Sequence, residues 1–249
     1  MTLVGNMPRF FVDSVSGNTI SIRGNDAYHI GRSLRMRIGD IITVCADRVE
    51  YRAKILSISD KEVVCDVLSA EKSENEPTVN VVLYQALPKS DKMDLIVQKA
   101  VELGVYKIVP VITARCVSRP AKSGYEKRVE RYNKIALEAA KQSGRGIVPT
   151  VSEFMTINEV IEKSKEFDLF FVPYECEEQK TLKEILTSKS DVKSVGFVIG
   201  PEGGFDLSET EKLHSSGIDT VTLGKRILRT ETAGEAVLAM TMYEIGDIN

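Results

Sequence analysis

Gly200-Pro201-Glu202-Gly203-Gly204-Phe205 is the segment from which the architecture is read. Ahead of it, Val195–Ile199 is a short apolar run with the character of a buried strand, and behind it Asp206 opens a helix with Glu209 three residues on, a capping-box spacing. Strand, glycine-rich loop and helix in that order make a ligand loop of an α/β sheet. Three glycines in five residues permit close backbone approach and positive φ, while Pro201 stiffens the entry. The pattern is neither GxxxxGK followed by Ser or Thr nor GxGxxG, and no lysine follows to reach a phosphate. A P-loop or dinucleotide-binding reading therefore fails on the residues themselves.

The strand Thr220–Leu223 runs into a second loop, Leu223-Gly224-Lys225-Arg226-Ile227-Leu228-Arg229-Thr230-Glu231-Thr232-Ala233, and the spacing of Thr232 and Glu235 predicts a capping box for a final helix, Ala233–Ile245. If the two strands are neighbours, both loops wall one pocket, with backbone amides, an apolar floor from Ile227 and Leu228, and charged groups in Arg229 and Glu231. Taken singly, Arg229 and Glu231 read equally as a surface ion pair worth little to stability. Upstream, strands at Val79–Leu87, Lys107–Thr113 and Asp168–Val172 alternate with helices at Ser90–Leu103, Glu126–Gln142, Leu182–Ser188 and Leu207–Ser215. That alternation predicts a mostly parallel sheet with its chemistry in the loops beyond the strand ends.

Before Pro77 the rhythm is different. Arg9–Val12, Ile41–Val44, Tyr51–Ile55 and Val63–Val67 alternate with period two, separated by turns at Ser16-Gly17-Asn18, Gly24-Asn25-Asp26, Gly39-Asp40 and Ser59-Asp60-Lys61. A small β-barrel of about 70 residues with one helix near Asp26–Met36 fits this pattern, and the polar stretch Glu71–Pro77 is its linker. The expected division is 1–72 and 73–249.

Bulk properties narrow the function. No apolar run approaches the roughly 20 residues of a membrane helix, and Met1–Phe11 has no basic region leading into an apolar one, so the expectation is a cytoplasmic protein. Cys45, Cys65, Cys116 and Cys176 form no CxxC pair and His29 and His214 are isolated, which suggests neither metal site nor disulfide framework. The net charge of -3 conceals a basic belt: between 115 and 145, nine basic side chains face three glutamates. Such a belt is a phosphate footprint or a solvated helix face.

Together, GPEGGF, LGKRILRTETA and a terminal helix resemble the ending of the SPOUT methyltransferases, and closely that of the ribosomal RNA small subunit methyltransferase E family. Met7–Phe11, His29–Met36, Lys99–Gly104 and Glu138–Arg145 extend the resemblance over nearly the whole chain. It implies a PUA-like β-barrel before a SPOUT-type parallel sheet with a C-terminal trefoil knot, a homodimer, and S-adenosylmethionine-dependent methylation of N3 of a uridine in 16S ribosomal RNA of the small ribosomal subunit. By position, Gly200, Pro201, Glu202, Gly203, Gly204, Leu223, Gly224, Ile227, Leu228 and Ala233 are the implied cofactor loops, with Pro173 from the first loop of the knot. Arg229 is the candidate to stabilise negative charge on the uracil oxygens, and Glu231 or Glu202 to accept the N3 proton. Arg9, Arg32, Arg35 and Arg37 of the barrel and Arg115, Arg119 and Arg145 of the belt are the expected RNA contacts. A sister enzyme acting on another base or ribose, and a non-catalytic assembly protein, are the competing readings.

Overall fold

The computed structural model describes residues 7–15 and 17–248. Met1–Asn6, Ser16 of the first expected turn, and Asn249 lie outside the described residues. The chain divides into two units, the first containing the residues up to Glu76 together with Ala140–Val148, the second Pro77–Ala139 and Pro149–Asn249.

The four period-two segments of the first unit form β1 (Arg9–Phe11), β3 (Ile41–Ala46), β4 (Val49–Ile58) and β5 (Glu62–Lys72), and a further strand that was not among them, β2 (Thr19–Arg23), joins them. They make one sheet in the order β1-β3-β4-β5-β2, parallel only between β1 and β3. Register shifts between Arg52 and Ala53 and between Ile55 and Ser57 interrupt the β4–β5 ladder, and such bulges sharpen twist and curvature. Alternate side chains, among them Phe10, Ile20, Ile22, Ile42, Val44, Ala53, Ile55 and Val63, point into one core. Instead of one helix over 26–36 there are two short pieces, α1 (Asn25–Tyr28) and a π-helical turn at His29–Ser33, whose Ala27 and Ile30 join that core.

Residues 140–148 are held to this unit by a buried ion pair. Arg145 Nε and Nη2 donate to the two oxygens of Glu76 at 2.9 and 2.8 Å, with the two side chains only 4% and 5% exposed. The amide of Gly146 adds a third bond to Glu76, and Arg9 Nη1 donates to the Arg145 carbonyl at 3.0 Å.

The second unit contains β6 (Asn80–Ala86), α2 (Lys92–Glu102), β7 (Lys107–Ile112), most of α3 (Tyr125–Ser143), β8 (Thr150–Val151), β9 (Met155–Thr156), α4 (Ile157–Ser164), β10 (Leu169–Pro173), α5 (Leu182–Leu186), β11 (Ser194–Ile199), α6 (Leu207–Ser215), β12 (Asp219–Val221) and α7 (Thr230–Ile245). Its sheet runs β12-β10-β11-β6-β7-β8, with β9 also beside β7, and every pairing is parallel. This is the parallel α/β sheet that the alternation of strands and helices predicts. Because both faces are covered, strands such as β6 and β11 are continuous apolar runs rather than alternating ones. The elements β8, β9 and α4 were not anticipated from the sequence. Two-residue strands carry no usable period, and α4 has a Thr156–Glu159 capping box that goes unnoticed without the strand before it.

Removing one partner of a buried pair leaves the other charge uncompensated. Arg145→Ala is expected to lower stability by about 3 kcal/mol, with Arg145→Lys recovering little because it cannot reproduce the two-pronged contact. Urea denaturation followed by circular dichroism measures this, and an unchanged midpoint for Arg145→Ala would contradict it.

Candidate active site

At the carboxyl end of the sheet, the two glycine-bearing loops meet. Their strands, however, are not neighbours: β10 lies between β11 and β12. The loops come together because the chain leaving β12 crosses the end of β10 and enters α7 beside the Gly200–Gly204 turn. Thr230, the first residue of α7, donates its hydroxyl to the Gly200 carbonyl at 2.6 Å. The same hydroxyl accepts from Gln85 Nε2 at 2.9 Å, and Gln85 Nε2 also donates to the Ala86 carbonyl at 3.0 Å. Gln85 and Thr230 are both buried. Three strand ends or helix starts are thus joined through one hydroxyl.

The Gly200–Gly204 turn is shaped as its composition predicts. Gly204 N donates to Pro201 O at 2.9 Å, and Gly204 has φ +66°, where a Cβ would also stand 2.9 Å from Glu175 Oε1. Asp206 and Glu209 form the anticipated capping box of α6, and Glu209, itself buried, accepts the Ala114 amide at 2.7 Å. The second expected box is absent. α7 begins at Thr230, with Arg229 as its N-cap residue and no side-chain cap, because tertiary bonding of the Thr230 hydroxyl starts the helix before Thr232 and Glu235 are reached.

Of the expected cofactor residues, Pro173 ends β10 between the two loops, Gly224 has φ +95°, and Leu223, Leu228 and Ala233 are half-buried. The Ala233 amide is spent on the Arg229 carbonyl. Ile227 is 87% exposed, so the apolar floor expected from Ile227 and Leu228 is not supplied by Ile227. Glycine-rich turns with open backbone, flanked by carboxylates, suit a ligand carrying a positive centre and hydrogen-bonding groups, whereas the phosphate-gripping lysine that a nucleotide site would need is lacking.

Lys92, the first residue of α2, was not singled out by the sequence, since one lysine among charged residues looks like a solvated helix face. Its Nζ lies 3.1 Å from Glu202 Oε1 and 3.1 Å from Glu231 Oε2. Glu202 also accepts the Lys89 amide at 3.1 Å. Burial pushes both carboxyls up, but their own backbone amides and Lys92 outweigh it, with Lys89 N–H helping Glu202 and Arg229 helping Glu231, so both sit below the usual carboxylate range. Gln85 was missed as well, although a single amide in the apolar run Val81–Leu87 is a signal that could have been read.

The expected RNA contacts separate. In the first unit Arg32, Arg35 and Arg37 are exposed, Arg32 paired with Asp60 at 2.9 Å and Arg35 in the left-handed region with φ +52°. Arg9 is held by Glu50 at 2.9 Å and by Cys45 Sγ, and Arg145 is buried on Glu76, so both guanidiniums are engaged inside the protein. In the second unit Arg115 Nη1 donates to the Gly203 carbonyl at 3.0 Å, and Arg119 donates to the carbonyls of Thr113, Ala114 and Cys116 beyond β7. Arg115 therefore touches the Gly200–Gly204 turn directly. Among the described residues no group of His, Cys, Asp or Glu is placed to hold a metal ion, and no helix is long and apolar enough to cross a membrane.

A parallel sheet with converging glycine loops at its carboxyl end, in a chain that also carries a separate β unit, defines the class. Residues 74–242 match the family described as an RNA methyltransferase domain, and residues 22–68 match an RNA methyltransferase PUA domain. The ribosomal RNA small subunit methyltransferase E of Bacillus subtilis is 34% identical over 96% of this chain and 97% of its own length; that of Mesomycoplasma hyopneumoniae is 31% identical over 91% and 95%. The crystal structure of the Neisseria gonorrhoeae ribosomal RNA small subunit methyltransferase E bound to S-adenosyl methionine superposes with a TM-score of 0.87 at 31% identity, covering 98% of this chain and all of that one. A Legionella pneumophila methyltransferase with bound cofactor gives 0.87 at 27%, covering 97% and 99%. The chain belongs to the ribosomal RNA small subunit methyltransferase E family.

Thr230→Val keeps the side-chain shape but leaves the Gly200 carbonyl and the Gln85 amide without their shared partner. It is expected to cost about 2 kcal/mol of stability and to weaken S-adenosylmethionine binding, whereas Thr230→Ser retains both. Thermal unfolding and calorimetric titration check this, and a Val variant matching wild type in both would remove Thr230 as the link.

Proposed function

We propose that this protein methylates N3 of a uridine in 16S ribosomal RNA, with S-adenosylmethionine held by Gly200–Gly204, Leu223, Gly224, Ile227, Leu228 and Ala233, and Pro173 between them. The observation that carries the reading is the meeting of the two loops at Thr230 and Gly200. The bound cofactor supplies a methyl group on a sulfonium. The chain supplies the rest. N3 of uridine is protonated at neutral pH, so a nucleophile appears only as the proton leaves. Arg229, exposed and without an ion-pair partner among the described residues, is placed at the start of α7 to stabilise charge on the uracil oxygens, and Glu231 or Glu202 accepts the proton. Carboxyls below their usual range are ionised at neutral pH but are weak bases, so most of the driving force falls to Arg229.

The trefoil knot is part of this proposal. Support comes from the end of β12, which is bonded on one side through Tyr174 N to Val221 O and on the other through Thr222 N to Lys180 O, so it runs between the two ends of the 174–180 loop. A homodimer is supported by α7: Val237, Leu238 and Met242 are buried in the unit, yet Met240 and Tyr243 on its other side are 41% and 68% exposed. A helix apolar on both sides calls for a second cover. RNA binding is assigned to the PUA-like part, 1–72, through Arg32, Arg35 and Arg37, with Arg115 and Arg119 contributing from the methyltransferase part, 73–249. The work is placed in the cytoplasm, where the small subunit is.

Methylation at N3 abolishes Watson–Crick pairing and halts reverse transcriptase. Cells lacking the gene are expected to lose one strong stop in 16S ribosomal RNA, restored by the wild-type gene and not by Arg229→Ala. An Arg229→Ala protein that restores the stop while Glu231→Gln does not would overturn the role given to the arginine. For the barrel, Arg35→Glu is expected to weaken RNA binding and reduce the slope of log affinity against log salt by roughly one to two. Equal affinities at low and high salt would remove Arg35 from the footprint.

A further inference from the structure

We propose that Lys92 is a positioning residue of the cofactor site, a cationic pin that holds Glu202 of the Gly200–Gly204 turn and Glu231 in the first turn of α7 at a fixed separation, and that the 85–92 segment is thereby a third wall of the site. This rests on the methyltransferase reading above.

The stretch from the end of β6 to the start of α2 reaches the Gly200–Gly204 turn and the start of α7 at two levels. Inside, Gln85 is bonded to Thr230 and through it to Gly200. Outside, Lys92 stands 3.1 Å from each carboxylate, and Lys89 N–H bonds Glu202 as well. The three charged side chains are 29%, 21% and 18% exposed, so water screens them only in part. Two carboxylates each in contact with one ammonium are close neighbours. With the ammonium present, the group carries one net negative charge and pulls the loops together; without it, two partly desolvated like charges push them apart. The surrounding charged groups do not replace Lys92. Arg229 lies near Glu231 alone, Glu235 one turn along α7 adds a further negative charge, and Lys99 and Glu102 of α2 act on Glu235. The buried tie through Thr230 joins the Gly200 end of the first loop to the start of α7, whereas Glu202 at the apex of that loop is tied by Lys92 and Lys89. Loss of Lys92 should therefore spare the fold and loosen the apex.

Four proteins test this in the full-length chain: wild type, Lys92→Met, Lys92→Arg, and Lys92→Met combined with Glu231→Gln. S-adenosylmethionine affinity is measured by calorimetry at pH 5.5 and pH 8, with thermal unfolding as a check on the fold. Lys92→Met is expected to bind about tenfold more weakly at pH 8. The deficit shrinks at pH 5.5, because one of two unpinned carboxylates takes up a proton and the repulsion falls. Lys92→Arg and the double variant should each recover most of the pH 8 affinity, the first by restoring the cation and the second by removing one of the repelling charges. Wild-type affinity in Lys92→Met at both pH values, or a loss equal at both pH values that neither Arg nor the added Gln corrects, overturns the role of Lys92. Wild-type protein that binds no S-adenosylmethionine overturns the methyltransferase reading instead.

Discussion

The hydroxyl of Thr230 is the joint on which the site depends. It donates to the Gly200 carbonyl and accepts from the Gln85 amide, and so ties the ends of β6 and β11 to the start of α7 where water is excluded. In such a setting an unmade bond is expensive, and the loops have few alternative arrangements that satisfy the same groups. The crossing of β10 by the chain leaving β12 would otherwise be a long, loosely guided excursion. With it closed, two loops from strands that do not touch act as one surface.

Outside this neutral joint stands a charged one. Glu202, Lys92 and Glu231 come from three different segments, and the carboxylates keep their charge because their own backbone amides and the ammonium together outweigh the burial that would neutralise them. The basic belt is handled in a different way. Arg145 is spent on Glu76, Arg131 pairs with Asp91 and Asp94, and Arg115 and Arg119 bind carbonyls beyond β7. Much of the positive charge that looked like a phosphate footprint is therefore engaged in holding the protein's own loops. Under the proposed function, more of the RNA binding therefore falls to the exposed arginines Arg32, Arg35 and Arg37.

The legible part of the fold was the part governed by local rules. Strands β3, β4, β6 and β11 follow from their apolar patterns, the Gly204 conformation from the absence of a Cβ, and the start of α6 from Asp206 and Glu209 acting over three residues. The misreadings fall where a distant partner intervenes. Thr232 and Glu235 are correctly spaced for a cap, yet Thr230 starts the helix because the Gly200 carbonyl is there to accept its hydrogen bond. Ile227 is apolar in sequence and almost fully exposed.

Sequence alone determined the longer strands and helices, where the glycine-rich turns lie, and to which family the motif order points, since capping, periodicity and glycine's freedom act within a few residues of chain. Only the tertiary structure decided that β10 separates β11 from β12, that Gln85 and Lys92 belong to the site, and that 140–148 joins the first unit. Those features are set by contacts between residues as far apart in the chain as Gln85 and Thr230, and no local pattern encodes a partner at that distance.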